Sequence, residues 1–127
     1  MPFSSGITLT SREANFNGNY PYGIAARGPY LERTTKVGSY PPNPFGLFDM
    51  HGNVWEWCLD FYDRTFYRNS PRENPLGPET GSQRVVRGGS CFNIGRFCRS
   101  AYRLGIAPGN RNLDVGIRVV MVVEPDE

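Results

Sequence analysis

One lysine, one histidine and three cysteines in 127 residues remove several classes of function at the outset. The single histidine, His51, cannot furnish the two or three imidazoles that iron or catalytic zinc sites usually take. Cys58, Cys91 and Cys98 are an odd number and do not describe a disulfide framework; the compartment stays open, with a lean to the reducing cytoplasm. No apolar run approaches the roughly 20 residues of a membrane span. Residues 1–11 lack a charged start followed by an apolar stretch, so neither a membrane helix nor a secretory signal is expected. A net charge of +2 is too mild to imply a polyanionic partner.

What is abundant is glycine, proline and arginine. Glycine (15) and proline (11) supply 26 of 127 residues, against a usual share of roughly 12%. Such a chain turns often and holds few long helices, and its length allows one domain. Thirteen of the fourteen basic residues are arginine. A guanidinium bonds several loop carbonyls or a carboxylate at once, and buried loop backbone needs such partners. The arginine excess is therefore read as structural glue.

Along the chain, residues 1–11 are polar and short of core residues, and 14–23 (ANFNGNYPYG) read as a packed, aromatic loop. Prolines 41, 42 and 44 force extended backbone. A short strand is expected within 52–58, a long surface loop over 61–83, and a strand over 84–87 ending at Gly88-Gly89. Residues 97–103 suit one helical turn. The β-branched run VGIRVVMVV predicts a strand over 115–123.

The densest stretch is PPNPFGLFDMHGNVWEWCLD, residues 41–60, with both tryptophans, the histidine and three acids. Asp49 and Glu56 flank a glycine-containing turn. Two carboxylates with main-chain carbonyls between them suit a hard cation, and pairing of both acids with arginines is the competing reading. Ser90 with His51 and an acid is not a hydrolase set, because RGGS is no G-x-S-x-G elbow. Seven arginines lie between Arg84 and Arg118 against Asp114 alone, but no nucleic-acid motif accompanies them, so no nucleic-acid partner is expected.

Four blocks, NPFGLFDMHGNVWEW, RVVRGGS, CRSAYR and NLDVGIRVV, resemble in order and spacing the formylglycine-generating enzyme, or sulfatase-modifying factor, family over roughly residues 13–121. The resemblance implies an irregular, loop-rich α+β fold related to C-type lectins. It also implies that residues 1–127 form a single, partial domain lacking the family's N-terminal portion, so that self-association or a chain supplying the missing half is expected. Active members oxidise a sulfatase cysteine to formylglycine with O2 and copper held by two thiolates; other relatives share the fold without that activity, some as ligand-display domains.

Carried over position by position, the first thiolate falls at Asn93 and the second at Cys98, while Cys91 is displaced by two residues from the first. CRSAYR also resembles a later Cys-Ala-Ala-Arg stretch of the family. Ser90 and Trp55 match positions lining the catalytic pocket. One implied calcium site uses the side chains of Asp49 and Glu56 with the carbonyls of Gly52 and Val54. The other uses Asn15 and the carbonyl of Phe16, with its aspartate position at Pro29. The expectation is a calcium-stabilised binding or structural module without the full cysteine pair. The alternatives are a copper-dependent oxidase acting on a protein or peptide, and a C-type-lectin-like display domain.

Overall fold

A computed structural model describes residues 1–123. Its regular structure is a four-stranded sheet in the order β3-β2-β1-β4, formed by β1 (Trp55–Phe61), β2 (Arg84–Arg87), β3 (Arg103–Ile106) and β4 (Val115–Gly116). Helical content among the described residues is two 3-10 turns, Phe66–Arg68 and Gly95–Cys98. The remainder is turns and loops, as the glycine and proline content requires.

β2 lies inside the sheet, and its central residues Val85 and Val86 are fully buried although they face opposite sides. It pairs antiparallel with β1 through Glu56 opposite Arg87 and Trp57 opposite Val86, after which the register slips before Phe61 meets Arg84. On its other edge Val85 pairs with Gly105 and Val86 with Leu104 of β3. A side chain at Gly105 would meet the Tyr62 ring at 2.4 Å, so glycine there lets the aromatic ring lie on the strand. β4 pairs parallel to β1 through Trp55–Val115 and Glu56–Gly116.

The apolar core lies beside the sheet, in loops. Phe3, Leu9, Ala14, Phe16 and Cys98 are buried together, with Tyr22 packed against them. The Phe3 ring meets Tyr22 edge-on at 5.2 Å and His51 at 5.3 Å. Phe3 and Leu9 correct the reading of residues 1–11 as short of core: the segment folds back through Leu9–Tyr22 and Phe3–Gly6 bridges, without a periodic signature.

Three boundaries also differ. The strand expected over 115–123 ends at Gly116, because Ile117, Val119, Val120, Met121, Val122 and Val123 find no ladder partner and stand exposed. The strand expected within 52–58 runs from Trp55 to Phe61, since Gly52 and Asn53 adopt positive φ and turn the chain first. The helical turn expected over 97–103 is Gly95–Cys98, and Arg103 already opens β3.

Arginine acts as glue. The Arg103 guanidinium lies 4.0 Å from the Tyr67 ring centroid and donates to the Asp63 carbonyl at 2.8 Å. Arg87 donates to the Ser100 carbonyl and the Tyr67 hydroxyl, and Arg84 stacks on Phe61 at 3.6 Å.

Candidate functional site

The turn before β1 is held by backbone bonds to two other parts of the chain, the segment around Asn15 and the turn after β2. The Gly52 amide donates to the Gly88 carbonyl at 2.7 Å, the Asn53 amide to the Asn15 carbonyl at 2.8 Å, and the Cys91 amide to the Asn53 carbonyl at 2.9 Å. Gly52 has φ of +76°, and a Cβ there would sit 2.3 Å from the Asn15 oxygen. Only glycine satisfies both demands. Asn53 takes φ of +67° and forms a buried polar knot. Its Oδ1 accepts from the Thr35 amide at 2.9 Å and from Asn15 Nδ2 at 3.2 Å. Asn15 Nδ2 also donates to the Arg33 carbonyl at 2.9 Å. Asn15 Oδ1 is left buried and without a hydrogen-bond partner.

Asp49, Val54 and Glu56 line one small cavity of about 150 Å³, and Gly52 does not. Arg118 enters the same cavity. Its Nε donates to Glu56 Oε2 at 2.8 Å, and its Nη2 donates to Glu56 Oε1 at 2.7 Å, the Phe48 carbonyl at 2.9 Å and the Asp49 carbonyl at 3.2 Å. The Asp49 carboxylate instead accepts the Gly38 amide at 2.7 Å. The Glu56 hydrogen bonds keep the Arg118 guanidinium above its usual pKa. Both oxygens of Glu56 are thus already engaged by a resident cation.

The serine and cysteines occupy the turn after β2. Ser90 is fully buried, with its Oγ 2.7 Å from Asp114 Oδ2 and 2.8 Å from Asn93 Oδ1. Asn93 Oδ1 also accepts the Ser90 amide at 3.0 Å, and the Asn93 amide donates back to the Ser90 carbonyl at 3.1 Å. The residue at the first thiolate position is therefore a clasp on the RGGS turn. The Asp114 carbonyl accepts the Trp55 amide at 2.7 Å, which joins this turn to β1. Trp55 is buried against Tyr102, ring centroids 6.0 Å apart, and Tyr102 meets Phe97 edge-on.

Cys91 and Cys98 are both fully buried free thiols. Burial and, secondarily, the Asp114 charge push the Cys91 thiol above its usual range. Cys98 belongs to the Phe3–Phe16 cluster, where burial pushes its thiol up to about 12. Among the described residues no three His, Cys, Asp or Glu side chains are placed to hold a metal together. The donors at the two positions matched by the resemblance are one thiol, Cys98, and one carboxamide, Asn93, and not the pair of thiolates that a copper centre takes.

Arg118, Asp114, Asn53 and Thr35 are not among the site residues expected from the sequence. Asn53 carried a signal, being asparagine directly after a turn glycine. Arg118 carried none, since 62 residues separate it from Glu56.

The model of the sulfatase-modifying factor enzyme 1-like domain matches residues 4–123. The chain belongs to this family. It is 40% identical over 106 residues to a formylglycine-generating enzyme of Streptomyces coelicolor, covering 81% of this chain and 33% of that protein. It is 46% identical over 120 residues to the serine/threonine-protein kinase Pkn1 of Chlamydia trachomatis serovar L2, covering 93% of this chain and 17% of that one. Among solved structures, Treponema denticola variable protein 1 superposes with a TM-score of 0.63 at 30% identity, over 84% of this chain and 35% of that chain. The sulfatase-modifying-factor chain thus spans a third or less of the length of these two curated relatives. No helix among the described residues is long and apolar enough to cross a membrane.

Proposed function

We propose that this sulfatase-modifying-factor domain works as a binding or structural module of a larger assembly, in the C-type-lectin-related manner, and not as a copper oxidase. The observation that carries the reading is the state of the second thiolate position. Cys98 sits among Phe3, Leu9, Ala14 and Phe16 with its thiol pushed up to about 12. The first position is Asn93, whose amide is spent on Ser90. Ser90 and Trp55 are consumed in the same way, by Asp114 and by packing against Tyr102. The resemblance to a kinase-named protein of which this chain would be 17% supports a domain that serves a longer polypeptide.

The partner class is a protein or peptide. Self-association, or a second polypeptide segment, would cover the apolar residues 117–123 that stand exposed. Calcium belongs to the same reading, and the two implied sites differ in fit. Asn15 fits: its buried Oδ1 lacks a partner and would gain one from a hard cation, with the Phe16 carbonyl adjacent in the chain. At Asp49 and Glu56 the ion would have to displace Arg118 from the carboxylate.

The testing experiment incubates the chain with a peptide carrying a sulfatase cysteine motif, copper and O2, and looks for the aldehyde by mass spectrometry. The proposal expects no aldehyde above the no-protein control. Catalytic turnover of the peptide would overturn it.

A further inference from the structure

Outside the Ser90–Trp55 region, one serine and one histidine meet at the meeting point of two cavities. His51 Nδ1 lies 2.7 Å from the Cys98 carbonyl oxygen, which can only accept, so Nδ1 carries the proton and Nε2 is the acceptor. The Ser4 Oγ lies 3.1 Å from that Nε2, and the Ser4 amide donates to the same nitrogen at 3.1 Å. The imidazole is pinned further by the Phe3 ring, edge-on at 5.3 Å. Ser4 occupies the tip of the tight turn closed by the two Phe3–Gly6 backbone bonds. A hydroxyl, a base nitrogen at hydrogen-bond reach and a fixed acceptor that sets the tautomer are the parts of an activated nucleophile; the Ser4 amide shares the one Nε2 lone pair and gives it up when the hydroxyl proton transfers.

Two cavities, of about 310 Å³ and about 320 Å³, share Ser4 and His51 in their linings. The first is walled by Leu9, Ala14, Pro41, Pro42 and Leu47, with Glu13 and Asp49 as its acids. The second is walled by Phe45, Leu47 and Met50, with Glu56 and Arg87 as its charged groups. Apolar walls and acids on the first side favour a small, uncharged acyl group over an anion.

We propose that Ser4 and His51 form a nucleophilic dyad that accepts an acyl group from a small apolar ester. Ser4 Oγ forms a bond to the acyl carbon while its proton passes to His51 Nε2. The ester C–O bond breaks, and the leaving alkoxide takes that proton. Water, deprotonated by the same nitrogen, then releases the acid and returns the proton to Ser4. This site is separate from the proposed module function and does not depend on it.

The test uses the folded chain and a fluorophosphonate probe, with the adduct located by peptide mass spectrometry. Attack by Ser4 expels fluoride and leaves a phosphonyl serine. The expected result is an adduct on Ser4, absent from Ser5, and absent when the chain is unfolded in urea. Hydrolysis of p-nitrophenyl butyrate should vanish in Ser4→Ala and fall about 100-fold in His51→Gln, the usual size of a general-base contribution. No native-state adduct on Ser4, equal labelling of Ser4 and Ser5, or equal labelling of folded and unfolded chain overturns the proposal. So does an undiminished rate in His51→Gln with a wild-type melt. The adduct map needs no variant, so a failure of His51→Gln to fold leaves the test decisive.

Discussion

Arg118 shows how far single residues could be read. The sequence marked Asp49 and Glu56 as a pair of acids around a turn and left two outcomes, a cation or arginines. The fold brings one guanidinium onto both oxygens of Glu56, with the Phe48 and Asp49 carbonyls completing its bonds. The pair is partly exposed, at 33% and 20% of side-chain area, so solvent screens it. Glu56→Gln should lower stability by about 1 kcal/mol, a few degrees in Tm for a domain of this size. Calcium should raise the Tm of both wild type and Glu56→Gln, since the unpartnered oxygen that fits it belongs to Asn15. Binding to the folded state alone gives about 2.7 kcal/mol at a hundredfold excess over Kd. Identical melts with calcium and with chelator, in both proteins, would remove calcium from the account.

Asn93 stands where the family resemblance puts the first thiolate, and its hydrogen-bonding role could not be read from the sequence. That an amide three residues after Ser90 clasps its own turn is a matter of local hydrogen bonding, visible only once the chain is folded. The family spacing places the second thiolate at Cys98, and spacing carries no information on burial. The place of Cys98 in the apolar cluster depends on Phe3 and Leu9, in a segment whose polar composition hid both.

Among the elements, β2 and the start of β1 were readable and the tail was not. RVVR is short, β-branched and ended by Gly88-Gly89, and both valines are buried in the middle of the sheet. The run 115–123 has stronger β propensity, yet only Val115–Gly116 pairs. Propensity describes fit to a pleated, half-buried surface, and residues 117–123 have no neighbouring strand to supply one. The turn before β1 is the element on which the rest depends, because it bonds Asn15, Gly88 and Cys91 at once. Gly52→Ala combines an unfavourable φ with a Cβ 2.3 Å from the Asn15 oxygen. It should cost about 2–4 kcal/mol, read as a lowered urea midpoint with little change in slope. A midpoint within error of wild type would mean that the turn is not the junction described.

At the scale of the molecule, fold class and family were legible because four blocks kept order and spacing, while the split into a small sheet and a loop-built core was not. A core assembled from residues 3–22 and 98 has no periodicity to detect. The exposed tail, with Val119, Val120, Met121 and Val122 each more than four-fifths accessible, predicts association. Light scattering after size exclusion should find species larger than one chain, and Val120→Lys with Val122→Lys should shift them toward monomer. A wild-type monomer at tens of micromolar would argue against an unmet apolar surface.

The proposed role as a binding or structural module requires that the domain hold no copper between two thiolates. The most direct measurement is anaerobic Cu(I) competition with a chelator of known affinity, on wild type, Cys91→Ser and Cys98→Ser. Cys98 is buried in the Phe3–Phe16 cluster, and the Asn93 carboxamide oxygen accepts from Ser90. None of the three proteins is expected to take Cu(I) from the chelator. Tight one-to-one binding by wild type that disappears in each single variant would contradict it.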